Sequence, residues 1–232
     1  GRFLLNYKDN LPGASGALCL AYSDDGIHWR PDPANPVLVG LRDTNHNLVY
    51  DDERERWLLF TRPMSFAGQH KMTEADEAYG MKSRTAVSIG ETPQRFGYPR
   101  NVIWTEEDEH EKIDQNLVNK VGAHFIGFKV MMDEEGRTDT HLSFSRDGLY
   151  WQRLPGAEPY LARGREGDFD YGEAMAPKNI VAVDDWYYLY YSGRQGSQHD
   201  QETLSSIGLA MVHRDRFVAQ VGGEAGGRAG TC

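Results

Sequence analysis

Three features of the sequence predict an all-β fold of repeated four-stranded antiparallel units. The first is an internal repeat. Residues 17–29 read ALCLAYSDDGIHW and residues 139–151 read DTHLSFSRDGLYW, so Ser23, Asp25, Gly26 and Trp29 match Ser145, Asp147, Gly148 and Trp151. The second is the period. Copies recur at roughly 60-residue intervals, with a degenerate one in RTAVSIGETPQRF (Ser88) and another in SSIGLAMVHRDRF (Ala210). The third is an aromatic strand ahead of each copy. These are Phe3-Leu4-Leu5-Asn6-Tyr7, Trp57-Leu58-Leu59-Phe60, His124-Phe125-Ile126-Gly127-Phe128 and Trp186-Tyr187-Tyr188-Leu189-Tyr190-Tyr191.

In chain order, each full unit reads strand, strand, strand, short strand. First strands are expected near 46–50, 115–120 and 177–183, with Asp51-Asp52-Glu53 and Asp184-Asp185 turning two of them back. In the clearest copies the third strand ends in Ser-x-Asp-Gly, a tight turn whose glycine takes positive φ. Trp29 and Trp151 then begin the fourth strands and are expected to pack between sheets. This is the pattern of a β-propeller blade. A plain β-sandwich is the competing architecture, and it repeats less regularly. Residues 40–220 are thus expected to form three blades, and residues 1–39 the later part of another without its first strand. The propeller domain is placed at 1–221 and a Gly-rich tail or linker at 222–232. The polar, acidic stretch 69–82 reads as a long loop.

Composition narrows the function. Hydrophobic residues make up 39% of the 232, enough for a packed core. Aromatics reach 11%, with five Trp and twelve Tyr; besides packing cores, such rings stack on the C–H faces of sugars. The formal net charge of −10 argues against nucleic acid as a partner. No apolar run is long enough for a membrane helix. Two cysteines, Cys19 and Cys232, make neither a disulfide framework nor a zinc pattern. No leader is visible ahead of Gly1-Arg2-Phe3, which leaves the compartment open between secreted and cytoplasmic.

LAYSDDGIHW, LSFSRDGLYW, YYLYYSG and IGLAMVHRDRFV together resemble the five-bladed β-propeller glycoside hydrolases, the β-fructosidase (invertase-like) and arabinanase/xylosidase group. The resemblance covers nearly the whole chain. Sialidase propellers place one residue between the Asp and Gly of their box; here Asp25-Gly26 and Asp147-Gly148 are adjacent. The resemblance implies a glycosidase whose carboxylates converge on the propeller axis from the first strands of successive blades. One protonates the leaving oxygen while another attacks or activates water. A non-catalytic propeller that binds carbohydrate or protein is the alternative.

Three catalytic carboxylates follow from that resemblance. Asp43, in Arg42-Asp43-Thr44, matches the Arg-Asp motif whose Asp stabilises the transition state. Glu173, in Gly172-Glu173-Ala174-Met175-Ala176-Pro177, matches the general-acid motif, one blade later than the group's pattern when residues 1–39 are counted as the first blade. Asp114, in Ile113-Asp114-Gln115-Asn116, opens the blade between them. Asp168 and Asp170 are weaker candidates. The group's nucleophile has no counterpart here; its position falls ahead of Gly1. His46 and Asn47 at the head of an inner strand, and Arg62 and Arg194 at the ends of second strands, are the candidate sugar-binding residues. No cofactor is called for. The run Glu106–Glu111 lacks the glycine-punctuated form of a cation loop and reads as a solvated face.

Overall fold

A computed structural model describes residues 2–11, 14–39, 46–62, 84–104, 112–153, 158–200, 202–214, 216–217, 219–221 and 228–230. Every regular element among them is a strand, and no helix there is long and apolar enough to cross a membrane. The chain forms two compact units. One holds residues 1–109, 120–124 and 146–150, and the other holds the rest.

The first unit contains two antiparallel sheets. Strands β1 (Phe3–Leu11), β2 (Ala14–Ser23) and β3 (Arg30–Pro31) form a three-stranded meander. Strands β4 (Asn47–Asp51), β5 (Arg56–Thr61), β6 (Arg84–Gly90) and β7 (Arg100–Trp104) form a four-stranded one. In β5, Leu58, Leu59, Phe60 and Thr61 are all buried, so the strand is covered on both faces. Leu18 and Leu59 form a core with Val37, Leu38, Leu48 and Phe96 around it. Asp51, buried at the β4–β5 turn, carries ion pairs from Arg56 (3.1 Å) and Arg54 (3.3 Å). Burial of that carboxylate is tolerable only because these partners replace its water.

The second unit is built on β8 (Lys112–Val121), β9 (His124–Met132), β10 (Thr138–Ser145) and β11 (Trp151–Arg153), followed by β12 (Glu173–Met175), β13 (Val181–Val183), β14 (Trp186–Arg194) and β15 (Ser205–His213). The main path runs β13-β14-β12-β10-β9-β8, with β11 beside β10 and β15 beside β14. Phe128, Tyr160, Phe217 and Tyr187 form an aromatic cluster with centroids 5.3–6.4 Å apart. Burial pushes the Tyr160 hydroxyl up to about 12. Strands β16 (Ala219–Val221) and β17 (Arg228–Gly230) pair with each other.

The repeat read from the sequence is a repeat of register. Phe3 faces Ser23, Leu59 faces Ser88, Phe125 faces Ser145 and Leu189 faces Ala210. Three details differ from expectation. The third expected first strand, 177–183, begins earlier and is split into β12 and β13. Pro177 lies in the gap, where it has no N–H to give to a ladder. The outer edge of β15 has no strand beside it among the described residues, so this sheet does not show the four-layer order of β4–β7. The two tryptophans also differ. Trp151 lies over Gly127 of its own sheet, where a Cβ would come within 2.8 Å of the indole. Trp29 is 37% exposed and bonds back to Gly26 O (3.2 Å) rather than packing between sheets.

Candidate active site

Glu173 opens β12, the short strand between β10 and β14. Its backbone faces Arg194 across the antiparallel ladder, and Thr138 in parallel on the other side. Beneath it, the buried Thr140 hydroxyl donates to Ala174 O (2.8 Å) and accepts from Ala176 N (3.0 Å). This fixes the backbone of a segment that includes the proline break. The Glu173 side chain is 6% exposed, and Oε1 accepts a hydrogen bond from Ser192 Oγ (3.0 Å). Burial raises the Glu173 pKa above the ordinary glutamate value, and the nearby charge of Asp114 adds to the rise. The Ser192 bond and the Arg194 guanidinium pull the other way.

Asp114 is on β8 and half-buried. Its Oδ2 accepts from Gln115 Nε2 (3.1 Å) and Gln198 Nε2 (3.4 Å). Gln115 Nε2 also lies 3.2 Å from the sulfur of Met175, two residues past Glu173. β8 and β12 therefore meet here with their polar side chains together. Arg194, at the end of β14, donates through Nη2 to Asp200 O. The site thus gathers a buried carboxyl, a second carboxylate held by two amides, a guanidinium and a hydroxyl. It can donate a proton at Glu173 and offer negative charge at Asp114.

Of the expected site residues, the second unit brings together Asp114, Glu173 and Arg194. His46, Asn47 and Arg62 belong to the first unit. There His46 and Asn47 are buried at the start of β4, with His46 O accepting from Asn6 Nδ2 (2.7 Å), and Arg62 is half-buried just past β5. Asp43 and the acidic run Glu106–Glu111 lie outside the described residues. Asp170 is buried and accepts from Tyr191 OH (2.7 Å), while Asp168 accepts from Arg165 N (2.7 Å) in a local turn. Among the described residues no group of three His, Cys, Asp or Glu is placed to hold a metal ion.

Sequence reasoning missed Ser192, Gln115 and Gln198. Ser192 lies two residues before Arg194 on the same strand, and so on the same face. Gln115 adjoins Asp114. No signal marked Gln198, which comes from the irregular link between β14 and β15. Lys178, just past Pro177, was also missed; burial draws its ammonium down to about 8.

No family model and no curated protein matches the sequence. Solved structures do match. An N-acetylgalactosamine deacetylase from F. plautii, solved with blood group B trisaccharide, superposes with a TM-score of 0.62 at 16% identity, over 90% of this chain and 67% of its own. A thermostable family-43 glycoside hydrolase gives 0.60 at 9% identity, over 97% and 70%. An exo-β-1,3-galactanase from Clostridium thermocellum gives 0.54 at 13% identity, over 97% and 50%. This chain has the β-propeller fold of glycoside hydrolases. It spans between half and 70% of the length of these three structures.

Proposed function

We propose that this propeller is the catalytic domain of a glycoside hydrolase that cleaves a glycosidic bond in a carbohydrate substrate, with Glu173 as the general acid. The observation that carries the reading is the buried Glu173 carboxyl, its pKa raised by burial and by the charge of Asp114. A glycosidic oxygen is a poor leaving group until it is protonated, so the enzyme needs a carboxyl that keeps its proton near neutrality. Glu173 gives that proton to the departing oxygen. Asp114 offers acceptor oxygens only, and its charge favours the positive sugar ring that develops as the bond breaks. Asp43 is the proposed further stabiliser. Arg194, Arg62, His46 and Asn47 are the proposed hydroxyl-binding residues.

The test is Glu173→Gln, assayed on a panel of natural oligosaccharides and on aryl glycosides with good leaving groups. Turnover of natural glycosides falls by about 10²- to 10⁴-fold, while sugar binding persists. Aryl glycosides, which need less protonation, lose less. The alkaline limb of the kcat profile, where Glu173 gives up its proton, disappears in the variant. A variant as active as the parent on natural glycosides removes Glu173 from the mechanism. Binding without turnover in the parent protein selects the non-catalytic carbohydrate-binding propeller instead.

A second arm reads the same group without substrate. A carboxyl whose pKa is raised by folding favours the folded state below the ordinary glutamate pKa and loses that contribution as pH rises through the folded value. Glu173→Gln should therefore melt above the parent at neutral pH, the gap closing as pH drops below the ordinary glutamate range. A lower melting temperature at neutral pH contradicts the assignment of a desolvated carboxyl.

A further inference from the structure

Glu173 and Arg194 stand directly opposite each other on the antiparallel β12–β14 ladder. Opposed residues share one face with Cβ atoms about 4.5–5.5 Å apart, and a glutamate facing an arginine there ordinarily forms a cross-strand ion pair. These two do not. Among the described residues, Glu173 Oε1 accepts from Ser192 Oγ (3.0 Å), while Arg194 gives its Nη2 to Asp200 O. Arg194 Nε is buried with no hydrogen-bond partner. The charged groups that bear on Glu173 are this Arg194 of β14 and Asp114 of β8. From β10 comes only the buried hydroxyl of Thr138.

What holds Arg194 is the link between β14 and β15, and that link is braced at several points. Asp200 N donates to Ser197 O (3.1 Å), Asp200 Oδ1 accepts from Glu202 N (3.1 Å), and Asp200 Oδ2 accepts from Thr203 Oγ1. Gln198 N donates to Gly136 O (2.9 Å) between β9 and β10, and the His199 ring lies against Gly136, where a Cβ would come within 2.5 Å of it. A Cβ at Gly172, the residue before Glu173, would overlap the Gly196 carbonyl. The link therefore starts in backbone contact with the segment that carries the carboxyl. It also sends Gln198 Nε2 to Asp114 Oδ2 (3.4 Å). One irregular segment thus engages both charged neighbours of Glu173.

We infer that Asp200 is a positioning residue: through its carbonyl the β14–β15 link withholds Arg194 from Glu173 and leaves the carboxyl free to carry a proton. The inference rests on the reading of Glu173 as the general acid. An arginine released onto a carboxyl favours the charged form, and a carboxylate paired with Arg194 has no proton to give. The same hold leaves Arg194 Nε open to a substrate oxygen.

Two variants loosen the hold without changing a charge. Thr203→Val deletes the hydroxyl that braces Asp200, and Gly196→Ala sets a methyl against Thr203 Oγ1 and Asp200 Oδ2. The readout is the Glu173 carboxyl, titrated by NMR in protein labelled at glutamate Cδ. Glu173→Gln assigns the signal, and circular dichroism confirms that each variant folds. In both variants the proton dissociation constant of Glu173 should rise about tenfold or more, and the alkaline limb of the kcat profile should move to lower pH with it. Adding Arg194→Met should reverse the rise. A dissociation constant unchanged in both variants overturns the inference, and so does a rise that survives Arg194→Met. The titration needs no substrate, so a parent protein without turnover counts against the glycosidase reading and not against the hold on Arg194.

Discussion

The two Asp-Gly turns are nearly the same object in isolation. In one, Asp25 Oδ1 accepts from Ile27 N and His28 N, both at 2.8 Å; in the other, Asp147 Oδ1 accepts from Leu149 N (2.8 Å) and Tyr150 N (2.9 Å). Their surroundings are opposite. Among the described residues a Cβ at Gly26 would meet only the Phe3 ring, at 3.8 Å, whereas Gly148 is buried on Leu58 and Phe60 and Asp147 O takes a 2.7 Å bond from Arg56 Nη2. The lesson is that one motif sets a local shape in both places and bears load in one. Its weight in stability comes from what the tertiary fold lays against it.

The largest test of that difference replaces each glycine with valine. Both positions have positive φ, which costs a β-branched residue about 1–2 kcal/mol. Gly148→Val adds overpacking against the fully buried Leu58, another ~1–3 kcal/mol. Chemical denaturation should show Gly148→Val losing clearly more than Gly26→Val. Equal losses would mean that the second turn is no more embedded than the first.

A smaller effect compares two arginines. Arg56 is mostly buried, pairs with Asp51 and reaches the Asp147 carbonyl. Removing it leaves a fully buried carboxylate short of a partner, and Arg56→Ala should cost about 2–4 kcal/mol. Arg30 and its partner Asp24 are 73% and 68% exposed, and Arg30→Ala should cost at most about 1 kcal/mol. A strongly destabilising Arg30→Ala would show that the first turn is embedded after all.

The smallest effect is electrostatic and local. His28 above all, then the backbone N–H groups of His28 and Ile27, hold the Asp25 carboxyl well below the usual aspartate range. A depressed carboxyl contributes stability above its unfolded pKa and loses it as pH falls toward the folded value. Acidification below the ordinary aspartate pKa should move the amide resonances of Ile27 and His28 while leaving the global melting transition nearly unchanged. Amides that shift together with the ordinary aspartates would show that the His28 contact does not persist in solution.

Much of the fold was legible because strand patterning is local. Alternation, the Asp-Gly pair and the aromatic strands specify where the chain extends and where it reverses, and the repeat carries the same register through four strand pairs. The split of 173–183 was less legible: Pro177 stood in plain view, yet the strand's earlier start at Glu173 depends on pairing with both Thr138 and Arg194. At the candidate site, Glu173 and Asp114 were named from their motifs and their expected places at the heads of strands. Ser192 and Gln198 were not, because a serine in a strand and a glutamine in a link carry no periodic signal until folding lays them beside a carboxyl.

The sequence by itself determined the strands, the turns, the repeat and the candidate carboxylates, since each depends on residues within a few positions of one another. Only the tertiary structure decided which copies of the motif are buried, that Gln115 and Gln198 converge on Asp114, and that Glu173 loses its water. Burial and electrostatic coupling depend on distances between residues far apart in the chain. β8 and β12 are separated by three strands in sequence, and they meet only because β9 and β10, which lie between them in the sheet, bring Met175 to within 3.2 Å of Gln115.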